Sequence, residues 1–141
     1  MKKIIIAVIS ALLFTTMAEA QIQKTSSYQS ETIASARMGV VQLKYDGDFF
    51  LVLTTSNQFD KPMLLKLGDN KESALLSLND LLDLADSLQG TEMQSIDNGY
   101  EKELTISKSM GSLAFQARGY AGIAYLSAGE IKKFAKKLQA Y

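Results

Sequence analysis

The chain has 141 residues, 15 Lys plus Arg against 15 Asp plus Glu, one Pro, and neither Cys nor His. That inventory rules out a Ser-His-Asp triad, a Cys-His pair, a Cys/His zinc site, the usual haem ligands and any disulfide. The balanced charge supplies no long-range attraction to a polyanion, so nucleic acid and anionic membranes are not favoured partners.

Met1-Lys2-Lys3, the apolar run Ile4 to Met17, and Ala18-Glu19-Ala20 before Gln21 make the three-part layout of a secretory signal peptide, residues 1–20, with cleavage expected after Ala20. The apolar run is too short to cross a bilayer, which needs roughly 20 such residues. No Cys follows it, so the bacterial lipoprotein route is closed. The product is expected in the periplasm or secreted, with a net charge of −1 once Lys2, Lys3 and Glu19 are gone and with no transmembrane segment in its mature part. A signal of this style suits a bacterial exported protein. Residues 21–30, "QIQKTSSYQS", lack periodicity and read as a flexible tail.

Residues 31–141 are expected to form one α+β domain, held together by its apolar core alone. Strands are predicted at Ile33 to Tyr45, with Gly39 as a bulge where the apolar parity switches, and at Phe49 to Ser56. Phe49 to Leu53 is apolar at every step, which predicts a central strand covered on both faces. A strand from Pro62 to Leu67 has its proline at the opening position, and Ser73 to Leu76 reads as one more short strand. The first helix is predicted to run to about Leu88, with Ser77 and Asp80 as its capping box and Leu81, Leu84, Ala85 and Leu88 as its buried stripe. A weak strand near Glu92 to Ile96 follows, then Tyr100 to Ser107, Ser112 to Arg118 and Gly122 to Leu126. The last helix, to about Gln139, is capped by Ser127 with Glu130 and buries Ile131, Phe134, Ala135 and Leu138.

The two helical stretches, "LSLNDLLDLADSL" and "LSAGEIKKFAKKL", align without a gap about 50 residues apart, a spacing typical of internal repeats. At the same spacing "MLLKL" from Met63 lies over "LAFQA" from Leu113. With one residue gained, "DGDFFLVLT" from Asp46 lies over "DNGYEKELT" from Asp97. The expected fold is therefore an antiparallel sheet with two helices packed on it, a tandem ββββα pseudo-repeat spanning about 31–90 and 91–141. In order of elements it resembles the duplicated sheets of the Whirly and PUR-type single-strand-binding folds. The likeness is one of topology over most of the mature chain, without a family motif, and it carries no binding residue across.

Chemistry-bearing patterns are few. "RGYAG" at Arg118 to Gly122 lacks the spacing of a phosphate loop and reads as a hairpin turn. Asp46, Asp48 and Asp97 flank turn glycines without the ligand ladder of a calcium loop. No metal or cofactor is implied. The candidate interaction surface is Arg118, Tyr120 and the block Lys132, Lys133, Lys136 and Lys137. The lysines also suit a solvated helix C-terminus. Asp83 and Asp86 on the first helix match Lys133 and Lys136 on the second, which predicts opposite charges side by side, within one chain or across a two-fold homodimer. The expected function is a non-enzymatic binding protein that holds a protein or envelope component on an open sheet face or edge. Two other readings stay open: a nucleic-acid or anionic-glycan binder using the sheet and the lysine-rich helix, and an enzyme built on a carboxylate, Tyr or Lys centre.

Overall fold

Among the described residues there are eight strands, most of them built on alternating apolar residues, and two α-helices, each built on a 3.6-residue stripe. The computed structural model describes residues 30–141; the expected signal peptide and tail residues 21–29 lie outside them. In chain order the elements are β1 Glu31–Ala36, β2 Val41–Tyr45, β3 Phe49–Leu53, β4 Met63–Gly68, α1 Lys71–Ser87, β5 Met93–Ile96, β6 Leu104–Ser109, β7 Ser112–Gln116, β8 Ala124–Ser127 and α2 Ala128–Ala140. The fold is α+β, a tandem ββββα arrangement. The strands divide into two antiparallel meanders, β1-β2-β3-β4 and β5-β6-β7-β8, each followed by a helix. Among the described residues no helix is long and apolar enough to cross a membrane.

Three expectations about the first half change. The long strand from Ile33 to Tyr45 is two strands: the chain reverses at a 3-10 turn, Arg37–Gly39, so that Ala36 pairs with Val41. The parity switch at Gly39 therefore marks a hairpin, and the ladder irregularity lies instead between Thr32 and Ala34. A reversal shifts the buried parity just as a bulge does, which is why the pattern alone does not separate them. Second, Ser73 to Leu76 is the opening of α1 rather than a strand. Asn70 is the N-cap: its side chain accepts from Ser73 N at 2.8 Å and Asn70 N donates back to Ser73 Oγ at 3.3 Å. Ser77, expected as the cap, lies inside α1 and donates to the Leu67 carbonyl of β4. Two cap-like pairs stand about two turns apart in this sequence, and the burial of Ala74 extends the stripe to the earlier one. Replacing Asn70 by Ala is expected to lower stability by about 1 kcal/mol, read from the urea midpoint. Third, β3 is interior to its ladder as expected, but only one face is fully buried. Phe49, Leu51 and Leu53 enter the core, while Phe50 and Val52 are half-exposed.

The α2 cap is as expected. Ser127 Oγ accepts from Glu130 N at 3.2 Å, and Glu130 Oε1 accepts from Ser127 N at 2.9 Å. Burial opposes the Glu130 charge, yet the Ser127 amide and the Arg37 guanidinium, whose Nε is 2.7 Å from Oε2, outweigh it and hold the carboxyl pKa below its usual value.

The duplication expected from sequence has a different register. "MLLKL" lies in β4, the strand before a helix, whereas "LAFQA" lies in and just after β7, one strand earlier than the position before α2, which β8 holds. By topology β2 matches β6 and β3 matches β7, so the cross-strand pair Leu43–Leu51 has its counterpart in Ile106–Phe115. All four are buried. Any strand leading into a helix displays the strand-then-cap pattern, so that pattern does not fix the register of the repeat.

The halves interlock. Phe115, Phe134, Leu43, Leu51, Leu78, Ile106 and Ile131 are fully buried in one continuous core. α2 crosses to the first half, where Lys133 Nζ donates to the Ser35 carbonyl of β1 at 2.8 Å. At the start of α1, Lys71 Nζ donates to the Gln139 carbonyl at 2.9 Å, which sets the beginning of one helix beside the end of the other. On the loops, the Asp60 carboxylate accepts from Thr55 Oγ1 at 2.7 Å, Gly122 N at 2.8 Å and Ala121 N at 3.1 Å, tying the β3–β4 loop to the β7–β8 loop. The Thr55 hydroxyl first, then the two amides, hold the Asp60 pKa below the usual carboxylate value. A depressed acid stabilises the folded chain above the carboxylate's ordinary range and loses that contribution as pH falls through its own lowered pKa. The gap in unfolding midpoint between the native chain and Asp60→Asn should therefore be widest near neutrality and close on acidification.

Two hairpin tips carry methionine in the left-handed region. Met110 has φ 52 before Gly111 in the two-residue β6–β7 turn, and Met38 has φ 56 before Gly39. Such turns favour Asn or Gly at these positions, because a Cβ crowds the following carbonyl. Both methionine side chains are fully exposed. Met110→Asn is expected to raise stability by about 0.5–1 kcal/mol in a thermal or urea melt.

Candidate functional site

A cleft of about 360 Å³ opens between α1, β4 and the end of β5. Its floor comes from Leu65 and Leu67, whose side chains alternate toward the core along β4. One wall is a single face of α1, where Ser77, Asp80, Leu81 and Leu84 recur at helical spacing. The opposite wall is Ile96, Asp97 and Asn98, where β5 gives way to the β5–β6 loop. Leu84, expected in the core, is half-buried because the cleft opens beside it.

The polar groups of this wall have defined partners, with one exception. Asp97 Oδ1 accepts from Gly99 N at 3.2 Å, forming the Asx turn its sequence suggests. Asn98 Oδ1 accepts from Tyr100 N at 2.9 Å and Glu101 N at 3.1 Å, which fixes the orientation of its amide. Its Nδ2 is buried and has no hydrogen-bond partner among the described residues. An unsatisfied buried donor costs about 1–3 kcal/mol, so it is an unusual group to leave beside a cavity. At the rim, Lys66 Nζ lies 3.2 Å from Asp69 and 3.8 Å from Asp48. Asp69 first, through its hydrogen bond, and then Asp48 raise the Lys66 pKa. The Tyr100 hydroxyl donates to Asp48 at 3.2 Å, and its ring meets Phe50 edge-on at 6.2 Å. Burial first, then the Asp48 charge, raise the Tyr100 pKa.

Beside this cleft, β5 is the outer strand of its meander. Met93, Gln94 and Ser95 are exposed. A wider hollow of about 730 Å³ lies under the β5–β6 loop, lined by Ser95, Tyr100, Glu101, Glu103 and Arg118 among others.

The residues singled out from sequence fall in separate places. Arg118 is exposed at the second hollow and pairs with Glu103 at 3.4 Å. Tyr120 is half-buried: its hydroxyl donates to the Pro62 carbonyl at 3.3 Å, and Lys61 Nζ stands 5.8 Å from its ring centroid. The Pro62 bond makes it a joint between the β7–β8 loop and the start of β4, and burial, then Glu101, push its pKa far up. Lys132, Lys133, Lys136 and Lys137 are exposed on α2. Among the described residues no hydrogen bond or ion pair links them to Arg118 or Tyr120. The pairing of Asp83 and Asp86 with Lys133 and Lys136 inside one chain does not occur. The four ion pairs of the described residues involve none of these side chains, and Lys133 is turned to β1. Ile96, Asn98 and Asp80, which shape the cleft, carried no signal beyond ordinary strand, turn and helix content.

No family model, curated protein or solved structure matches this chain. The likeness to Whirly and PUR-type folds accordingly remains one of element order.

Proposed function

We propose that the chain is an exported, non-enzymatic binding protein of the periplasm or the secreted fraction, and that its ligand is a protein or envelope component seated at the cleft between α1 and the end of β5. The observation that carries this reading is the cleft itself: a floor of Leu65 and Leu67, walls that set Leu81, Leu84 and Ile96 beside Ser77, Asp80 and Asp97, and a buried Asn98 amide donor without an acceptor among the described residues. Sites of this composition are the usual form of a binding pocket. The adjoining open edge of β5 suits an extended partner segment, which would add backbone hydrogen bonds along the strand while an apolar side chain enters the cleft.

Titration with a neutral solvatochromic dye tests it. The native chain is expected to brighten the dye, with little change on adding salt, because apolar docking is not screened. Leu84→Trp, which fills the cleft from one wall, is expected to abolish the signal while leaving the unfolding midpoint close to that of the native chain. Equal brightening by both proteins, or none by the native chain, removes the reading. A signal that fades steeply with salt would instead favour the anionic-polymer alternative.

A further inference from the structure

The helix layer carries its charges at opposite ends. Lys71 bonds Gln139, so the start of α1 adjoins the end of α2. At 1.5 Å per residue, Asp83 stands about 18 Å along α1 from that junction and Asp86 further still, whereas Lys136 and Lys137 stand within one turn of it. The Debye length at physiological salt is about 8 Å, so Asp83 and Asp86 do not neutralise Lys136 and Lys137 within a chain, whereas Asp80 and Lys132 stand closer to the middle of the layer. Each set is also internally uncomfortable. Asp80, Asp83 and Asp86 repeat at i, i+3, and Lys132 with Lys136 and Lys133 with Lys137 at i, i+4, spacings at which like charges repel. Asp86 sits in the last turn of α1, where the helix dipole disfavours an anion, and that turn holds no basic residue. Nothing among the described residues relieves this: the acids make no ion pair, and the lysines make only the Lys133 bond to a carbonyl.

We infer that this layer docks a second copy of the same chain, turned end for end. The acidic end of one α1 then meets the lysine-rich end of the other's α2, and the two-fold axis repeats the contact. Leu76, 65% exposed on the outward side of α1, adds apolar area to the docked face. Because the attraction is ionic, it governs encounter and orientation more than tightness. The dimer is therefore weak and dissolves in salt. The docked face shares Asp80 with the cleft wall, and substitutions at Asp83, Asp86, Lys136 and Lys137 leave that residue and the rest of the cleft lining in place.

Sedimentation of the full chain at about 0.01 M and about 1 M salt, where the Debye length falls from about 30 Å to about 3 Å, should show dimer giving way to monomer. Lys136→Glu with Lys137→Glu reverses the charge of the lysine-rich end, and Asp83→Lys with Asp86→Lys reverses that of the acidic end. Each double variant alone should be monomeric in low salt and retain the native circular dichroism. Mixed in equal amounts, they should form a heterodimer that again dissolves at high salt. A native chain that stays monomeric in low salt overturns the inference, as does a dimer indifferent to salt, or two folded variants that fail to combine. Binding of a lysine-rich peptide by a monomeric native chain, lost in the Asp83→Lys, Asp86→Lys variant, would assign the acidic end to a foreign partner and overturn it equally.

Discussion

Phe134→Ala is expected to cost about 3–5 kcal/mol, the range for emptying a fully buried aromatic position. Phe134 on α2 has no exposed surface, and the buried cluster it belongs to includes residues of both meanders. Removing it takes away transfer energy and leaves a cavity that two packed helices and two pleated layers cannot collapse to fill. Since a domain of this size is stable by about 5–15 kcal/mol in all, much of that margin is lost and the variant should melt many degrees earlier. Phe59→Ala supplies the contrast. Phe59 is 87% exposed on the β3–β4 loop, and its loss should shift stability by no more than about 0.5 kcal/mol. A comparable effect at the two positions, in urea unfolding, would mean the core is not where the structure puts it.

Gly122→Ala should be nearly as damaging, for a steric rather than an apolar reason. A Cβ at this position would lie 2.5 Å from Asn57 N and 2.8 Å from Thr55 Oγ1. The first of these is backbone and cannot swing aside. The same residue's amide donates to Asp60, so displacement of the loop also breaks the charge-assisted bond that joins the two halves at this corner. The expected loss is about 2–4 kcal/mol, an overpacking term together with part of that hydrogen bond. Gly129→Ala makes the control. Gly129 lies in the first turn of α2, where an added methyl touches nothing closer than 4.0 Å, and it should stabilise the chain by about 0.5–1 kcal/mol through helix propensity. If both substitutions proved neutral, the loop junction would not be the close contact described.

Local features of the chain were readable wherever one residue type implies one geometry. Ser127 followed by Glu130 is a capping box in the structure as in the sequence, and the alternation in β6 and β7 buries Leu104, Ile106, Leu113 and Phe115. Where two geometries share a pattern, the reading went astray. The apolar parity change near Gly39 fits a bulge and a hairpin equally, and only the pairing of Ala36 with Val41 decides between them. Asn70-Ser73 and Ser77-Asp80 are both plausible helix starts, and the choice falls to the earlier because Ala74 is buried and Ser77 is drawn to the Leu67 carbonyl.

By itself, the amino-acid order determined the α+β class, the doubling of strands-then-helix, the apolar stripes that form the core, and the lack of His and Cys chemistry, because these follow from side-chain period and residue type. Tertiary structure alone decided that the strands divide into two meanders, that the acidic and basic helices meet end against start with their charges apart, and that a cleft opens beside Leu84. Those outcomes depend on contacts between segments distant in sequence, such as Lys71 with Gln139 and Asp60 with Gly122, whose energies no local pattern encodes.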